Sequence, residues 1–257
     1  MLNQIFKRDA QNVPTIKLVI YGPSLAGKTT LLSIYSTLKK VESPDQIYSD
    51  LKKIEQDGRT VLFDQSVFEL PKGQGTMLPL LRYALYSVAG QERFRDTRKV
   101  VLKGTDGLMI MLDPMKEQYE FNKSSLYEIA TLLGEQLTTG NLPWILVVNK
   151  MDLPEEERTP TDDIMKLMVE TGMVKNIGEA YTKLYAISCK QAKTDLLALP
   201  KRSDWAKLKD AAGRLRREAR PESVKEAASP IEHLTRHVVE HKIRKLREAK
   251  KRSSSSQ

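Results

Sequence analysis

The sequence is poor in cysteine and aromatic residues and contains no long apolar run. Its one cysteine, Cys189, excludes an intramolecular disulfide framework and cysteine-pair zinc sites, and it fits a reducing compartment. No stretch approaches the about 18 apolar residues that a membrane-spanning helix needs. The first residues also lack the apolar core of a signal peptide. We therefore expect a cytoplasmic protein, with peripheral membrane contact as an alternative.

The excess of positive charge is confined to the last quarter of the chain. The formal net charge is +9, and lysine plus arginine balance aspartate plus glutamate, 24 against 24, up to Lys190. After Lys190 the two counts are 18 and 9. A balanced core with a basic end indicates that any acidic partner or anionic membrane surface is met by the C-terminal region. Aromatic residues are sparse there, and no nucleic-acid-binding module is evident.

Residues 21–30 read YGPSLAGKTT and have the spacing of a phosphate-binding loop. In such a loop, exposed backbone N–H groups surround the phosphates, the lysine reaches the outer phosphates and the next hydroxyl faces Mg²⁺. The run TIKLVIY before it predicts a strand, and the pattern after it predicts a helix, whose N-terminus also attracts phosphate. The predicted phosphate-binding residues are Gly22, Pro23, Ser24, Leu25, Ala26, Gly27, Lys28, Thr29 and Thr30.

Strand and helix patterns alternate along the first 190 residues. This order predicts the α/β class, and specifically a P-loop NTPase with a doubly wound, mixed six-stranded sheet flanked by helices and ligand at the carboxyl ends of the strands. The polar segment 42–59 has weak periodicity and is predicted to be a long loop with at most one helical turn. The six predicted strands span 15–21, 60–70, 80–88, 107–112, 144–148 and 183–187.

Two motifs predict that the base of the nucleotide is guanine. Asn149, Lys150 and Asp152 form an Asn-Lys-x-Asp motif after a buried strand, and a carboxylate at Asp152 can accept both N–H groups of guanine N1 and N2. The stem of Lys150 can lie on the ring. The tripeptide that follows the sixth strand can offer backbone N–H groups to guanine O6; it consists of Ser188, Cys189 and Lys190.

The chain divides into a core and a basic appendage. We predict a nucleotide-binding domain over 13–190, a basic helical insertion over 191–228, a closing helix with a basic end over 229–252 and a disordered tail over 253–257. Within the insertion, residues 204–219 have a helical pattern, and the closing helix is predicted to pack on the sheet. Cys189 is predicted to be a small buried residue.

These motifs together resemble the Ras superfamily of small GTPases. Within it, the sequence is most similar to the prokaryotic gliding-motility and polarity GTPases of the MglA type, and Arf and signal recognition particle receptor β-subunit GTPases are more distant. The likeness rests on YGPSLAGKTT, RTVLFD at 59–64, YSVAGQ at 86–91 and RKVVLKGTDGL at 98–108. It covers residues 13–190 and the final helix.

The resemblance implies roles for individual residues. Thr29 and Thr60 would face Mg²⁺, and the Gly90 N–H would sense the γ-phosphate of GTP. Gln91 would orient the attacking water. Arg59 matches the place of an arginine that acts as a finger within the same chain, although it can equally be a solvated loop residue.

One position departs from the common superfamily pattern, because Ser87 stands where most Ras-like proteins have aspartate. A hydroxyl cannot supply a carboxylate's charge near the metal, so we expect slow hydrolysis.

The predicted function is a switch that binds GTP or GDP with Mg²⁺, hydrolyses GTP slowly without an activating partner and controls partner binding in polarity, motility or trafficking. The resemblance implies a roadblock/LC7-type regulator and an effector protein. Two alternatives are a nucleotide-dependent scaffold without useful turnover and a GTPase that meets RNA or the ribosome through its basic end.

Overall fold

The computed structural model describes residues 6–52, 55–56, 59–60, 63–70, 81–90 and 94–254. Within these ranges, the strands are β1 (Lys7–Arg8), β2 (Pro14–Tyr21), β3 (Ile47–Lys52), β4 (Glu55–Gln56), β5 (Arg59–Thr60), β6 (Phe63–Leu70), β7 (Leu81–Val88), β8 (Gly107–Leu112), β9 (Trp144–Val148) and β10 (Leu184–Ala186). The α-helices are α1 (Lys28–Glu42), α2 (Arg95–Leu102), α3 (Tyr119–Thr138), α4 (Thr161–Glu170), α5 (Ile177–Thr182), α6 (Cys189–Ala198) and α7 (Glu222–Ser254).

The main sheet is mixed, as predicted, but the described residues form eight strands in it, so the predicted number of six was wrong. Its strand order is β10-β9-β8-β2-β7-β6-β3, and β1 pairs separately with β2. The strands from β10 to β7 run parallel, whereas β6 is antiparallel to both β7 and β3. Strands β8 and β9 are buried along their whole length, which explains why their sequences are continuous apolar runs.

Helices cover both faces of this sheet. Successive residues of a strand point to opposite faces, so Leu18 and Ile20 join the core beneath α1, α6 and α7. Their neighbours Val19 and Tyr21 join a second core beneath α2, α3 and α4. The doubly wound architecture predicted from the sequence is therefore confirmed.

The predicted loop over 42–59 is wrong where β3 lies. This strand pairs with β6 at the edge of the sheet, with two register shifts along its length. Irregular edge pairing does not require the regular alternation of apolar residues that marks a half-buried strand, so the sequence pattern was weak. Thr60, predicted to begin the next strand, instead lies in β5, which pairs with β4 in a separate two-stranded sheet.

The predicted helix over 204–219 is also wrong. The segment contains only short 3₁₀ turns, at Trp205–Leu208 and Arg217–Ala219. Its backbone amides bond elsewhere: the Arg214 N–H donates to the Asp210 carboxylate, and the Leu215 N–H donates to the Val41 carbonyl at the end of α1. The helical periodicity was therefore overridden by a side-chain-capped turn and a long-range contact.

The C-terminal helix is longer than predicted. Helix α7 begins at Glu222, within the predicted insertion, so Pro230, the second residue of the predicted closing helix, lies inside it. Residues 253–254, predicted to be disordered, belong to its last turn, and 255–257 lie outside the described residues. The helix packs closely on the sheet, since a Cβ atom at Gly107 of β8 would lie 2.5 Å from Val238.

This topology brings the ends of four parallel strands to one edge of the sheet. The segments that follow β2, β8, β9 and β10 contain the phosphate loop, Asp113, the Asn-Lys-x-Asp motif and Ser188. Among the helices that the structure describes, none combines the length and apolar character needed to cross a membrane.

Candidate functional site

The phosphate loop connects β2 to α1 through backbone conformations that glycine permits. Gly22 has φ 152° and Gly27 has φ 99°, both in the range that favours glycine. A Cβ atom on Gly22 would lie 2.0 Å from the Met111 carbonyl oxygen of β8, so no other residue fits there without a shift of the backbone. Leu25 also has a positive φ and is 62% exposed at the tip of the loop. The loop is thus held against the sheet while its tip faces outward.

Lys28 lies buried beneath this loop. Its ammonium group donates to the carbonyl oxygens of Gly22 at 2.9 Å and Pro23 at 2.6 Å. Burial lowers the pKa of Lys28 to about 7, and the positive charge of Arg98 acts in the same direction while Asp64 opposes it. A polyphosphate bound in the loop would place negative charge beside Lys28 and so favour its protonated form.

Asp64 is a site residue that the sequence interpretation missed. Its carboxylate is fully buried on β6, and Oδ2 accepts a hydrogen bond from the Thr29 hydroxyl at 2.5 Å. Hydroxyl and carboxylate oxygens are ligands that suit Mg²⁺, directly or through its bound waters, so this pair fits the metal that the sequence implies. The sequence offers one clue, the position of Asp64 in RTVLFD, but only the tertiary structure places its carboxylate beside the Thr29 hydroxyl.

The pairing of β6 with β7 explains how Asp64 relates to Ser87. The two residues face each other directly across the antiparallel pair. The Ser87 hydroxyl is buried, and the described residues give it no hydrogen-bond partner. The carboxylate that Ser87 lacks is therefore present on the neighbouring strand.

Asn149 joins the phosphate loop to the predicted base site. Its side-chain amide donates to the Ala26 carbonyl at 2.8 Å, and its Oδ1 accepts from the Cys189 N–H at 2.9 Å. Both bonds are buried, and a Cβ atom on Gly27 would lie 2.2 Å from the Asn149 amide nitrogen. One side chain thus fixes the separation between the two halves of the site.

The predicted base-reading residues meet at the ends of β9 and β10. Lys150 has a left-handed backbone, with φ 61°, and its ammonium forms an ion pair with the fully buried Asp113. Asp152 accepts a hydrogen bond from the Ser188 hydroxyl at 2.5 Å, and Lys190 Nζ lies 3.8 Å from its other oxygen. The Asp152 carboxylate is thereby oriented at the edge of the sheet.

Cys189 is buried, as predicted. Burial raises the pKa of its thiol to about 12, with the negative charge of Asp152 acting in the same direction, so the thiol is not a nucleophile at neutral pH. Its N–H donates to Asn149 Oδ1, and the contact of the tripeptide's N–H groups with guanine O6 stays a prediction. Cys189 therefore positions the loop.

Gly90 lies directly against the phosphate loop. A Cβ atom there would be 2.3 Å from the Ser24 amide nitrogen and 2.5 Å from the Pro23 carbonyl carbon, so the contact requires glycine. Three predicted residues are not placed at this level of detail. Gln91 lies outside the described residues, and only the backbone of Arg59 and Thr60 is described, as β5.

Comparison with known proteins gives matches over the same region. A family model described as "Ras family" matches residues 76–194. The chain is 35% identical over 139 residues to the mutual gliding-motility protein MglA of Myxococcus xanthus, covering 54% of this chain and 68% of MglA. It is 30% identical over 162 residues to the Ras-related protein RABD2a of Arabidopsis thaliana, covering 61% and 67%. It is 26% identical over 205 residues to human Ras-related protein Rab-7L1, covering 75% and 91%.

Proposed function

Because the chain belongs to the Ras superfamily of small GTPases, we propose that it is a GTP-dependent switch that hydrolyses GTP slowly and controls the binding of partner proteins. The GTP-bound form would order the segments that contain Thr60 and Gly90, and hydrolysis would release them. MglA is named as a gliding-motility protein, and we extend a role in polarity, motility or trafficking to this chain as part of the proposal.

The observation that carries the proposal is the pair of buried hydrogen bonds made by Asn149. They hold the phosphate loop and the segment after β10 at a fixed separation, with the Lys28 ammonium at one end and the Asp152 carboxylate at the other. A ligand that uses both ends needs a phosphate chain and a base with two adjacent N–H donors. GTP and GDP have both features.

Phosphate binding would draw on the buried lysine and the backbone. Lys28 would exchange its two carbonyl partners for the β- and γ-phosphate oxygens, which are stronger acceptors because they are charged. The N–H groups of the loop and of the α1 N-terminus would contact the remaining oxygens. Gly90 lies against the loop, and its N–H would donate to the γ-phosphate and so distinguish GTP from GDP.

Thr29 and Thr60 would hold Mg²⁺, and Asp64 would act beside them. The Asp64 carboxylate, which contacts the Thr29 hydroxyl, would accept from the waters around the ion and provide the charge absent at Ser87. When bound, Mg²⁺ neutralises charge on the phosphates. The presence of Asp64 favours a hydrolytic enzyme over the scaffold alternative, which depended on the missing carboxylate.

Hydrolysis would require positioning of water and stabilisation of charge on the transferring phosphate. Gln91 would orient the water, and Arg59 would approach the phosphates from the segment before Thr60. Loss of an arginine finger typically slows turnover by about 10³ to 10⁵. A roadblock/LC7-type regulator would accelerate the reaction, and an effector would bind the GTP form. The basic end of α7 is the proposed contact for an acidic protein or a membrane surface.

The test is GTP hydrolysis by the purified full chain in Mg²⁺, with GDP and GTP affinities measured in parallel. Wild type is compared with Gln91→Ala and Arg59→Ala, and with Lys99→Gln as an exposed control on α2. We expect slow turnover that both active-site substitutions reduce while nucleotide binding remains. Guanine-nucleotide binding without any hydrolysis, even at stoichiometric enzyme, would refute intrinsic catalysis. Absence of binding would refute the proposal as a whole.

A further inference from the structure

Arg98 is a buried charge that the predicted catalytic set does not use. It lies on α2 and is 4% exposed. Its guanidinium forms a forked pair with Glu128 of α3, donating from Nη2 to Oε2 at 2.7 Å and from Nε to Oε1 at 3.1 Å. This bidentate geometry fixes the orientation of the guanidinium plane and ties α2 to α3.

The remaining side of the same guanidinium reaches the backbone of the site. Nη1 of Arg98 donates to the Ala89 carbonyl at 3.3 Å, and this bond is buried. The Ala89 carbonyl and the Gly90 N–H belong to one peptide plane, in which they point in opposite directions because the bond is trans. A group that holds the carbonyl therefore also sets the direction of the N–H.

The direction of that N–H matters because of where Gly90 lies. Its backbone packs against Pro23 and Ser24 of the phosphate loop. Arg98 is thus joined to the phosphate loop through one peptide, because it binds the Ala89 carbonyl and the next residue, Gly90, contacts the loop.

We propose that Arg98, clamped by Glu128, is a positioning residue that aims the Gly90 N–H at the γ-phosphate and so sets the preference for GTP over GDP. The proposal rests on the proposed function, since it requires a nucleotide in the phosphate loop. Arg98 touches no phosphate in this role and acts through the Ala89–Gly90 peptide. The clamp also couples that peptide to α3, a helix outside the segments expected to change with the nucleotide.

A purely structural ion pair would have a different signature. Its loss would loosen the protein and weaken GDP and GTP to similar extents, because both nucleotides occupy the same phosphate loop. If the Gly90 N–H loses its orientation, only the nucleotide that has a γ-phosphate loses a hydrogen bond. The ratio of the two affinities therefore separates positioning from general stabilisation.

The experiment measures dissociation constants for fluorescent GDP and a fluorescent non-hydrolysable GTP analogue in Mg²⁺, using the full chain. A single neutral substitution leaves one buried charge uncompensated and threatens folding, so the main variant is Arg98→Met with Glu128→Met, which removes both charges. Arg98→Lys keeps a positive charge beside Glu128, but an ammonium lacks the planar set of N–H donors with which the guanidinium binds Glu128 and the Ala89 carbonyl together. Lys99→Gln is the control, because its partner Asp96 and its own side chain are exposed on the same helix.

We expect the affinity for the GTP analogue to fall about tenfold relative to GDP in both Arg98 variants, the size of one hydrogen bond to a charged group. The control is expected to keep the wild-type ratio. Equal weakening of both nucleotides, or an unchanged ratio in a folded double variant, would overturn the positioning role while leaving the GTPase proposal intact. If wild type binds neither nucleotide, the proposed function fails and this inference fails with it.

Discussion

The contact between Asp64 and Thr29 gives the most specific prediction for the metal site. Asp64→Asn keeps the size of the side chain and removes the charge beside the Thr29 hydroxyl. A hydrogen bond to a charged group contributes about 1.5 to 3 kcal/mol, which corresponds to about a 10- to 150-fold change in an equilibrium constant. Groups next to metal ligands have effects of the same size. We therefore expect the apparent Mg²⁺ affinity of the nucleotide complex to fall by about 10- to 100-fold.

The paired position of Ser87 supplies a rescue variant. Because Ser87 faces Asp64 directly, exchanging them as Asp64→Ser with Ser87→Asp moves one carboxylate across the strand pair. The exchanged protein is expected to recover part of the lost Mg²⁺ affinity. Ser87→Asp alone places two buried carboxylates opposite each other, and their repulsion is expected to lower thermal stability.

The assay follows release of fluorescent GDP and of a fluorescent GTP analogue over a Mg²⁺ titration, since the bound ion slows nucleotide release. Asp163→Asn, an exposed carboxylate on α4 paired with Lys166, is the matched control and is expected to titrate like wild type. If Asp64→Asn requires no more Mg²⁺ than that control, Asp64 does not contribute charge to the metal site. The missing carboxylate at Ser87 would then remain uncompensated.

Three further substitutions test the candidate site and a buried ion pair elsewhere in the protein. Asn149→Ala leaves the Ala26 carbonyl and the Cys189 N–H buried without a partner and is expected to weaken GDP and GTP equally, by about 10- to 100-fold in a binding titration; a change in only one nucleotide would contradict this. Asp152→Asn replaces an acceptor with a donor and is expected to shift preference from GDP towards xanthosine diphosphate, measured by competition. Arg220→Met removes the ion-pair partner of the buried Glu42 carboxylate, although Glu232 keeps its second partner Arg217, and is expected to lower Tm by about 10 °C in calorimetry; a loss under about 2 °C would show that the ion pairs contribute little.

The local motifs could be read from the sequence because they depend on short-range chemistry. Gly22 and Lys28 lie within one loop, where the spacing itself encodes a turn with inward N–H groups. The buried strands β8 and β9 match their predicted ranges. A short, continuous apolar run between two helical patterns is typical of a buried strand, so the pattern itself defined both ends. The predicted GTPase family also rests on short sequence motifs of this kind, and it agrees with the relatives that the chain matches.

The secondary-structure predictions were wrong where long-range contacts override the local conformational propensity. Residues 204–219 have helical periodicity, yet the Asp210 carboxylate and the Val41 carbonyl accept hydrogen bonds from backbone N–H groups of this segment. The edge strand β3 obtains its conformation from irregular pairing with β6, which leaves little trace in the pattern. Local propensity is worth only tenths of a kcal/mol per residue, so a few tertiary hydrogen bonds outweigh it.

The sequence by itself predicted the phosphate loop, the base motif, the order of most strands and helices and hence the proposed class of ligand, because each is encoded by neighbouring residues. Tertiary structure alone decided which distant side chains complete the site. Strand register puts Asp64 across from Ser87 and beside Thr29, and helix packing brings Arg98 to the Ala89 carbonyl. These contacts depend on how separate elements pair and pack, which no local pattern specifies.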